Sequence, residues 1–295
     1  TKPGWVYLSI DESQIEPRIV AHRSGDQNLR NVFFNDEDLY SDFAISAFKL
    51  EDLRYECHGF GSICHHLGNE ILCDNHEHKG HGWHYPSVHK KKNRFPAKTC
   101  TLASIYDVTG KGLAEQMPVV CKNCGLEAKD HKKTCTSFAP LWNEDNCQDL
   151  INAFYIRYSG IMTMRMMDHK RLRQYGYVWS DWGRVLHAAA VRSVLNWVVS
   201  AALREAGNFP IQEDAQGTVK ITMAQVEDDF TGMGVYGDVV NPLLQIHDEL
   251  LFEAREDVAD EIGSHVAGLF ENCVRLEVPI KASIAKSKVW GKLPK

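Results

Sequence analysis

The stretch Leu243 to Phe252, LLQIHDELLF, limits the fold more than any other, because it plants two acids in a run that otherwise favours burial. Apolar residues flank a tight polar centre on both sides. That pattern predicts a β-hairpin whose arms enter a core and whose turn presents Asp248 and Glu249 at a rim. Taken alone, a surface turn reads equally well, since acids are common there. A second segment separates the two readings: Trp5 to Ile10 alternates, with Val6, Leu8 and Ile10 on one face, and runs directly into Asp11. If these strands are neighbours, Asp11 and Asp248 form a carboxylate pair. Such a pair suits Mg²⁺, a hard cation usually shared between one or two carboxylates and substrate phosphates. Two such ions about 3.5–4 Å apart serve an attacking hydroxyl and a leaving pyrophosphate in one in-line displacement. The chemistry indicated is nucleotidyl transfer.

With 295 residues and 44% hydrophobic content, the chain can bury one large core or two modest ones. Its net charge of −6 does not announce nucleic acid, so any such binding must use local patches such as His89-Lys90-Lys91-Lys92-Asn93-Arg94. No apolar stretch reaches the roughly 18 residues of a membrane span, and the N-terminus carries no signal-peptide pattern. The expectation is a cytoplasmic, reducing location with no membrane partner. The chain starts on Thr1 and opens almost at once on the strand that ends in Asp11, which reads as a split or processed piece of something longer.

After the first strand a helix is predicted, with Ser13 as its cap, Pro17 in its first turn and Ile15, Ile19 and Val20 as a buried stripe. Ser24-Gly25-Asp26 ends it, and a second helical pattern covers Leu39 to Phe48. Further on, Arg94, Lys98, Leu102 and Tyr106 recur every four positions and form one stripe on a helix that Asn93 can cap. Two cations there can neutralise a triphosphate, with two apolar side chains beside its base; the plainer alternative is a solvated basic face. Helical pattern resumes from Leu150 to Arg173. A helix over Val191 to Glu205 is expected to break at Gly207. An amphipathic helix over Asp257 to Cys273 and an alternating strand over Ile280 to Ile284 complete the chain.

The run Asp11-Glu12-Ser13-Gln14-Ile15-Glu16-Pro17-Arg18, the stripe Arg94, Lys98, Tyr106, and Gln245-Ile246-His247-Asp248-Glu249 together closely resemble the ordered motifs of family A DNA polymerases, the bacterial repair and phage replicative group. The resemblance implies an α+β fold, with an antiparallel palm sheet flanked by helices and a mainly helical fingers region. It divides the chain into palm (1–50), fingers (51–180) and palm again (181–295), and it implies a short hairpin about Tyr175–Val178 and Trp182–Arg184 before the next long helix. It also implies roles. Asp11 and Asp248 hold two Mg²⁺, Glu249 supports them and His247 positions the primer end. Glu16 blocks a ribose 2′-hydroxyl; Gln14, Tyr40, Arg94, Lys98, Leu102 and Tyr106 meet the incoming nucleotide. Arg184, Arg204, Asn208 and Gln212 contact the primer–template minor groove, a degenerate surface suited to checking pair shape. The partners implied are primer–template DNA, dNTPs and a polypeptide carrying the thumb and an exonuclease.

This chain departs from the family pattern at several places. Leu102 stands where the family usually has Phe or Tyr, Asp107 where it usually has Gly, and Glu213-Asp214-Ala215-Gln216-Gly217 where it has small residues. Leucine keeps the apolar contact but loses the flat ring, so altered discrimination is expected. The contrasting class is a non-catalytic, zinc-stabilised nucleic-acid-binding subunit on the same scaffold; a single-subunit RNA polymerase is disfavoured by Glu16.

Most of the nine cysteines cluster with histidines, which favours metal over disulfides. Two insertions, at about 57–89 and 118–140, flank the basic helix. The second has the spacing C-x₂-C-x₆-H-x₃-C through Cys121, Cys124, His131 and Cys135, suited to structural, four-coordinate Zn²⁺. The first offers Cys57, Cys64, Cys73 and one of His76, His78 or His81 for a second zinc.

Overall fold

The computed structural model describes residues 1–57, 63–66, 69–72, 82–118 and 141–293. In chain order its elements are β1 (Trp5–Glu12), α1 (Ile15–Ser24), α2 (Gln27–Phe34), α3 (Leu39–Ala47), β2 (Tyr55–Cys57), β3 (Ile63–His66), β4 (Asn69–Leu72), β5 (Gly82–His84), α4 (Phe95–Ile105), α5 (Gly110–Gln116), α6 (Glu144–Arg157), α7 (Ser159–Tyr175), β6 (Tyr177–Trp179), β7 (Val185–His187), α8 (Asn196–Met233), β8 (Val240–Ile246), β9 (Glu249–Arg255), α9 (Ala259–Asn272) and β10 (Ala282–Ser287). Two compact units result: Thr1–Arg23 with Met167–Lys295, and Ser24–Met166. Their limits differ from the sequence boundaries at about 50 and 180, since 24–50 groups with the second unit and 167–180 with the first. Among the described residues no helix is long and apolar enough to cross a membrane.

The first unit is built on an antiparallel sheet in the order β10-β1-β9-β8. Alternation along β1 puts Val6, Leu8 and Ile10 opposite Ala254, Phe252 and Leu250 of β9. These six residues face a core completed by Val219, Val226 and Phe230 of α8 and Val266 and Phe270 of α9. Burying each large apolar side chain contributes about 1.5–3 kcal/mol, so this one layer fixes the register on which the acids depend. The hairpin expected at Leu243–Phe252 forms, but from β8 it is Val240, before that stretch, that is buried in the core with β9. Leu243 and Leu244 of β8 remain 42% and 48% exposed, because β8 is the edge strand and its register shifts between Pro242 and Leu244.

The largest correction to the sequence reading is α8. It runs 38 residues, through Gly207 and Pro210, to a C-cap at Gly234 with φ +64°. Gly207, Pro210 and Ile211 are all buried along it. Tertiary packing therefore outweighs the penalties of about 1 kcal/mol for glycine and about 3 kcal/mol for proline in a helix interior. Its first half packs Ala202 and Ala206 against Leu172, Val178 and Val191 in a second small core. Helix α1 also starts later than expected. It begins after Gln14, which holds φ +57°, while Ser13 stands outside it with its carbonyl accepting from Arg18 Nε (2.8 Å).

In the second unit α3, α4 and α6 share a core in which Phe43 meets Phe154 edge-on at 5.4 Å. Asp42, almost fully buried, accepts from Tyr158 Oη (2.8 Å) and is paired to Arg54 and Arg157. Helix α2, absent from the sequence reading, is capped by Asp26, which accepts from Leu29 N at 2.9 Å. Ahead of α4 lies a π-helical turn, Lys90–Arg94, capped by His89. Asn93 therefore does not cap α4; its Oδ1 accepts from His89 N at 3.1 Å. Strand β2 pairs with β5 and β3 with β4. Cys57 and Cys64 stand on β2 and β3, whereas Cys73, His76, His78 and His81, and the whole set Cys121, Cys124, His131 and Cys135, lie outside the described residues.

Candidate active site

Strand register brings the acids of the first unit together. Asp11 lies opposite Glu249 across the β1–β9 pair, and Glu12 N donates to the Asp248 carbonyl at 3.1 Å. Directly opposed residues of antiparallel strands share a face, so Asp11 and Glu249 point away from the apolar core. Ser9 Oγ donates to Glu249 Oε1 at 2.7 Å and fixes that carboxylate. Burial, then the nearby Asp248 and Glu249 carboxylates, push Asp11 up to about 6, and Asp11 shares a side-chain hydrogen bond with Asp248. Among the described residues no cation pairs with Asp11, Asp248 or Glu249. The rim is thus negative charge without an internal counter-ion.

That donor set fits Mg²⁺. Among the described residues no group of three or more His, Cys, Asp or Glu is arranged as a metal cage. What the chain offers is a carboxylate pair open on one side, as expected for an ion that completes its shell with water and phosphate oxygens. Backbone strain frames the pair. Gln14 and His247 hold φ of +57° and +55°, a conformation uncommon for residues other than glycine and concentrated at functional sites. His247 is exposed, and its carbonyl accepts from Gln245 Nε2 at 2.6 Å. Glu16 sits half-buried in the first turn of α1.

One acid here was not singled out from the sequence. Glu12 continues the face of Val6, Leu8 and Ile10 and is fully buried. Its Oε2 accepts from Thr218 Oγ1 on α8 at 2.9 Å, while Oε1 has no hydrogen-bond partner. Burial raises its pKa to about 8 against the opposing Thr218 hydrogen bond, with Asp248 and Asp11 adding to the rise. The signal was available, because strict alternation through Ile10 sends the next same-face residue inward.

On α8, Arg204, Asn208 and Gln212 recur at four-residue spacing on one side of the helix; Arg204 and Gln212 are exposed, and Asn208 Oδ1 is buried without a partner. Arg184 is not free beside them: it is ion-paired with Glu213. The departure at Glu213–Gly217 has a structural use. Asp214, buried, accepts from Arg23 (2.9 Å) and from Asp181 N (2.8 Å). Trp182 donates to the Asp214 carbonyl at 2.9 Å, and its indole lies where a Cβ on Gly217 would sit only 2.2 Å away.

In the second unit the expected basic stripe is displaced at both ends, with Arg94 just ahead of α4 and Tyr106 at its C-cap. Arg94 makes a two-pronged contact with Asp38 at 2.6 and 2.8 Å. Tyr40 is buried, with the Arg94 guanidinium 5.2 Å and the Lys98 ammonium 5.4 Å from its ring centre. Lys98 is exposed and Leu102 half-buried. Beyond Tyr106, Asp107 holds φ +60°, the left-handed conformation that explains a glycine at that position. Arg165, buried, donates to the Ser104 carbonyl (3.1 Å) and to the Ile105 carbonyl, and lies 3.9 Å from Asp107.

An acid pair at a rim of an antiparallel sheet, with a basic helix elsewhere in the chain, defines the class. The family model described as DNA polymerase family A matches residues 1–56 and 74–292, and the chain belongs to that family. Curated relatives include the thermostable DNA polymerase I of Thermus filiformis, 26% identical over 97% of this chain and 27% of the relative. The DNA polymerase I of Chloroflexus aurantiacus is 26% identical over 99% of this chain and 25% of the relative. Among solved structures, the POL domain of Pol1 from M. smegmatis, in complex with DNA primer-template and dNTP, superimposes with a TM-score of 0.71 at 25% identity, over 97% of this chain and 40% of that one. The chain spans about a quarter of the length of the curated relatives it matches.

Proposed function

We propose that this chain is a template-directed DNA polymerase core that joins a deoxynucleotide to a primer 3′-hydroxyl. The bond formed is from the 3′-oxygen to the α-phosphorus; the bond broken is from that phosphorus to the bridging oxygen, and pyrophosphate leaves. Asp11 and Asp248 would hold two Mg²⁺, which supply the charge that stabilises both the attacking and the leaving oxygens. Glu249, fixed by Ser9, shapes the pair, and His247 orients the primer end. Arg94 and Lys98 neutralise the triphosphate, with Tyr40 beneath both cations and Gln14 beside the sugar. Leu102 and Tyr106 border the base, and Glu16 excludes a 2′-hydroxyl. Arg204, Asn208 and Gln212 read the minor groove, and Arg184 joins them from its pair with Glu213.

The observation that carries this reading is the uncompensated Asp11–Asp248 pair in a chain of this family. The Cys121–Cys135 spacing supports a structural zinc, which metal analysis of the purified chain would count. Primer extension on a templated duplex with Mg²⁺ at low salt tests the main claim, with deoxy- and ribonucleotides supplied separately. Deoxynucleotide extension that vanishes in Asp248→Ala supports it. Duplex binding with no extension, even when a polypeptide carrying a thumb is added, assigns a binding subunit instead.

A further inference from the structure

The β6–β7 hairpin has two unlike faces. Val178 and Leu186 turn into the core with Leu172 and Ala202. The opposite face carries Tyr177 and Trp179, paired in register with His187 and Val185, and continues onto Tyr175 at the end of α7. Tyr175 and Trp179 are 48% and 37% exposed. Ring centroids in this group are 5.3–6.5 Å apart with planes inclined at 39–54°. No pair is stacked face on face, so the rings do not use up one another's faces.

Two arginines lie beside these rings. The Arg171 guanidinium lies 4.9 Å from the Trp179 ring centre and is held there by Asp168 at 3.0 Å. Arg192 is exposed and forms no ion pair among the described residues. Arg192 Nη2 sits at the base of the hairpin, 3.5 Å from the position of a Cβ on Gly176. The nearby acids are already engaged: Asp168 with Arg171 and Arg23, Asp181 with Arg23 and His22. The patch is therefore aromatic and positive in a chain whose net charge is −6.

A duplex keeps its base faces stacked inside, and an apolar protein surface gives no use to these arginines. A single nucleic-acid strand offers both unpaired base faces and one phosphate per nucleotide. We propose that the outer face of the β6–β7 hairpin is a binding platform for single-stranded nucleic acid. Bases stack on Tyr175, Tyr177 and Trp179, and Arg171 and Arg192 meet the phosphates. The platform does not depend on the polymerase reading, since it needs neither the acid rim nor a nucleotide.

The test is fluorescence anisotropy of the full chain with labelled oligothymidylate and oligouridylate of about 12 nucleotides, within known single-strand site sizes, without Mg²⁺ or nucleotide. The double variant Tyr177→Ala/Trp179→Ala is expected to bind at least about tenfold more weakly, and Trp179→Phe to keep its affinity within about threefold. Arg192→Gln, which leaves every ring in place, should lower the slope of log K against log salt by about 0.7. Asp248→Ala should bind like the unaltered chain, which separates failure of the platform from failure of the polymerase proposal. Preference for either oligonucleotide that is lost in the ring variant supports the platform. Unchanged affinity in the ring variant, an unchanged salt slope, or equal competition by a blunt duplex overturns it.

Discussion

The acid rim of the first unit and the basic entrance to α4 in the second solve opposite electrostatic problems in opposite ways. Arg94 carries its own counter-ion, held two-pronged by Asp38, which also caps α3 by accepting from Ser41 N. Asp11, Asp248 and Glu249 have no such partner among the described residues, and Asp11 responds by holding its proton up to about pH 6. The difference is instructive. A cationic site stabilised from within keeps its geometry before any ligand arrives and exchanges one anion for another. A carboxylate site left uncompensated is completed only from outside, by protons or by metal.

The largest effect should come from breaking the rim. Asp248→Ala is expected to reduce primer extension at least about 10³-fold, the order lost when one electrostatic stabiliser of a transition state is removed. The same change should return Asp11 toward the ordinary aspartate range, which carboxyl titration by NMR would read.

The buried neighbour on the other side of the strand sharpens the contrast. Glu12 titrates near 8 folded and near 4.5 unfolded. Between those values the folded chain binds more protons than the unfolded one, so Glu12 costs stability progressively as pH rises through that window. Denaturant melts without metal should show a loss on the order of a few kcal/mol between pH 5 and pH 9. Glu12→Gln should flatten that slope, and an equally steep profile in the variant would remove Glu12 as its source.

At the basic site the expected effects are smaller. Arg94→Lys loses the two-pronged geometry and should raise the KM for nucleotide about tenfold. Asp38→Asn keeps a good cap but releases the guanidinium, so the KM should fall a few-fold; a rise would mean that Asp38 orients Arg94 more than it competes for it. The smallest change lies at the other end of the same helix. Asp107→Gly removes a left-handed strain of about 1 kcal/mol and the carboxylate 3.9 Å from Arg165. Relief of strain is opposed by the loss of that carboxylate from buried Arg165 and by the freer unfolded chain, so a melting temperature within a few degrees of the unaltered chain is the expected outcome.

Where periodicity and burial agree, these features were legible in the sequence. Strand β1, the β8–β9 turn at His247-Asp248 and helix α9 follow from alternation or amphipathic spacing that a single core satisfies, whereas the β6–β7 hairpin follows from the family resemblance, and its strands lie at Tyr177–Trp179 and Val185–His187. Where tertiary packing decides, local rules misled. Gly207 and Pro210 should end a helix, yet both are buried within α8. Leu243 and Leu244 should be core, yet β8 has a neighbour on one side only. The acid pair could be read because strand ends impose it. The engagement of Arg94 by Asp38, of Arg184 by Glu213 and of Asp214 by Arg23 could not, because each joins residues whose proximity only the folded chain creates.

The uninterrupted α8 has a consequence for how the first unit comes apart. Ala202 and Ala206 near its start belong to one core, and Val219, Val226 and Phe230 near its end belong to another. Two cores strung on one rod cannot melt separately without fraying the rod between them, and Thr218 on that rod also grips Glu12 at the end of β1. The aromatic hairpin and the carboxylate sheet are therefore coupled through α8 and are expected to unfold in one transition.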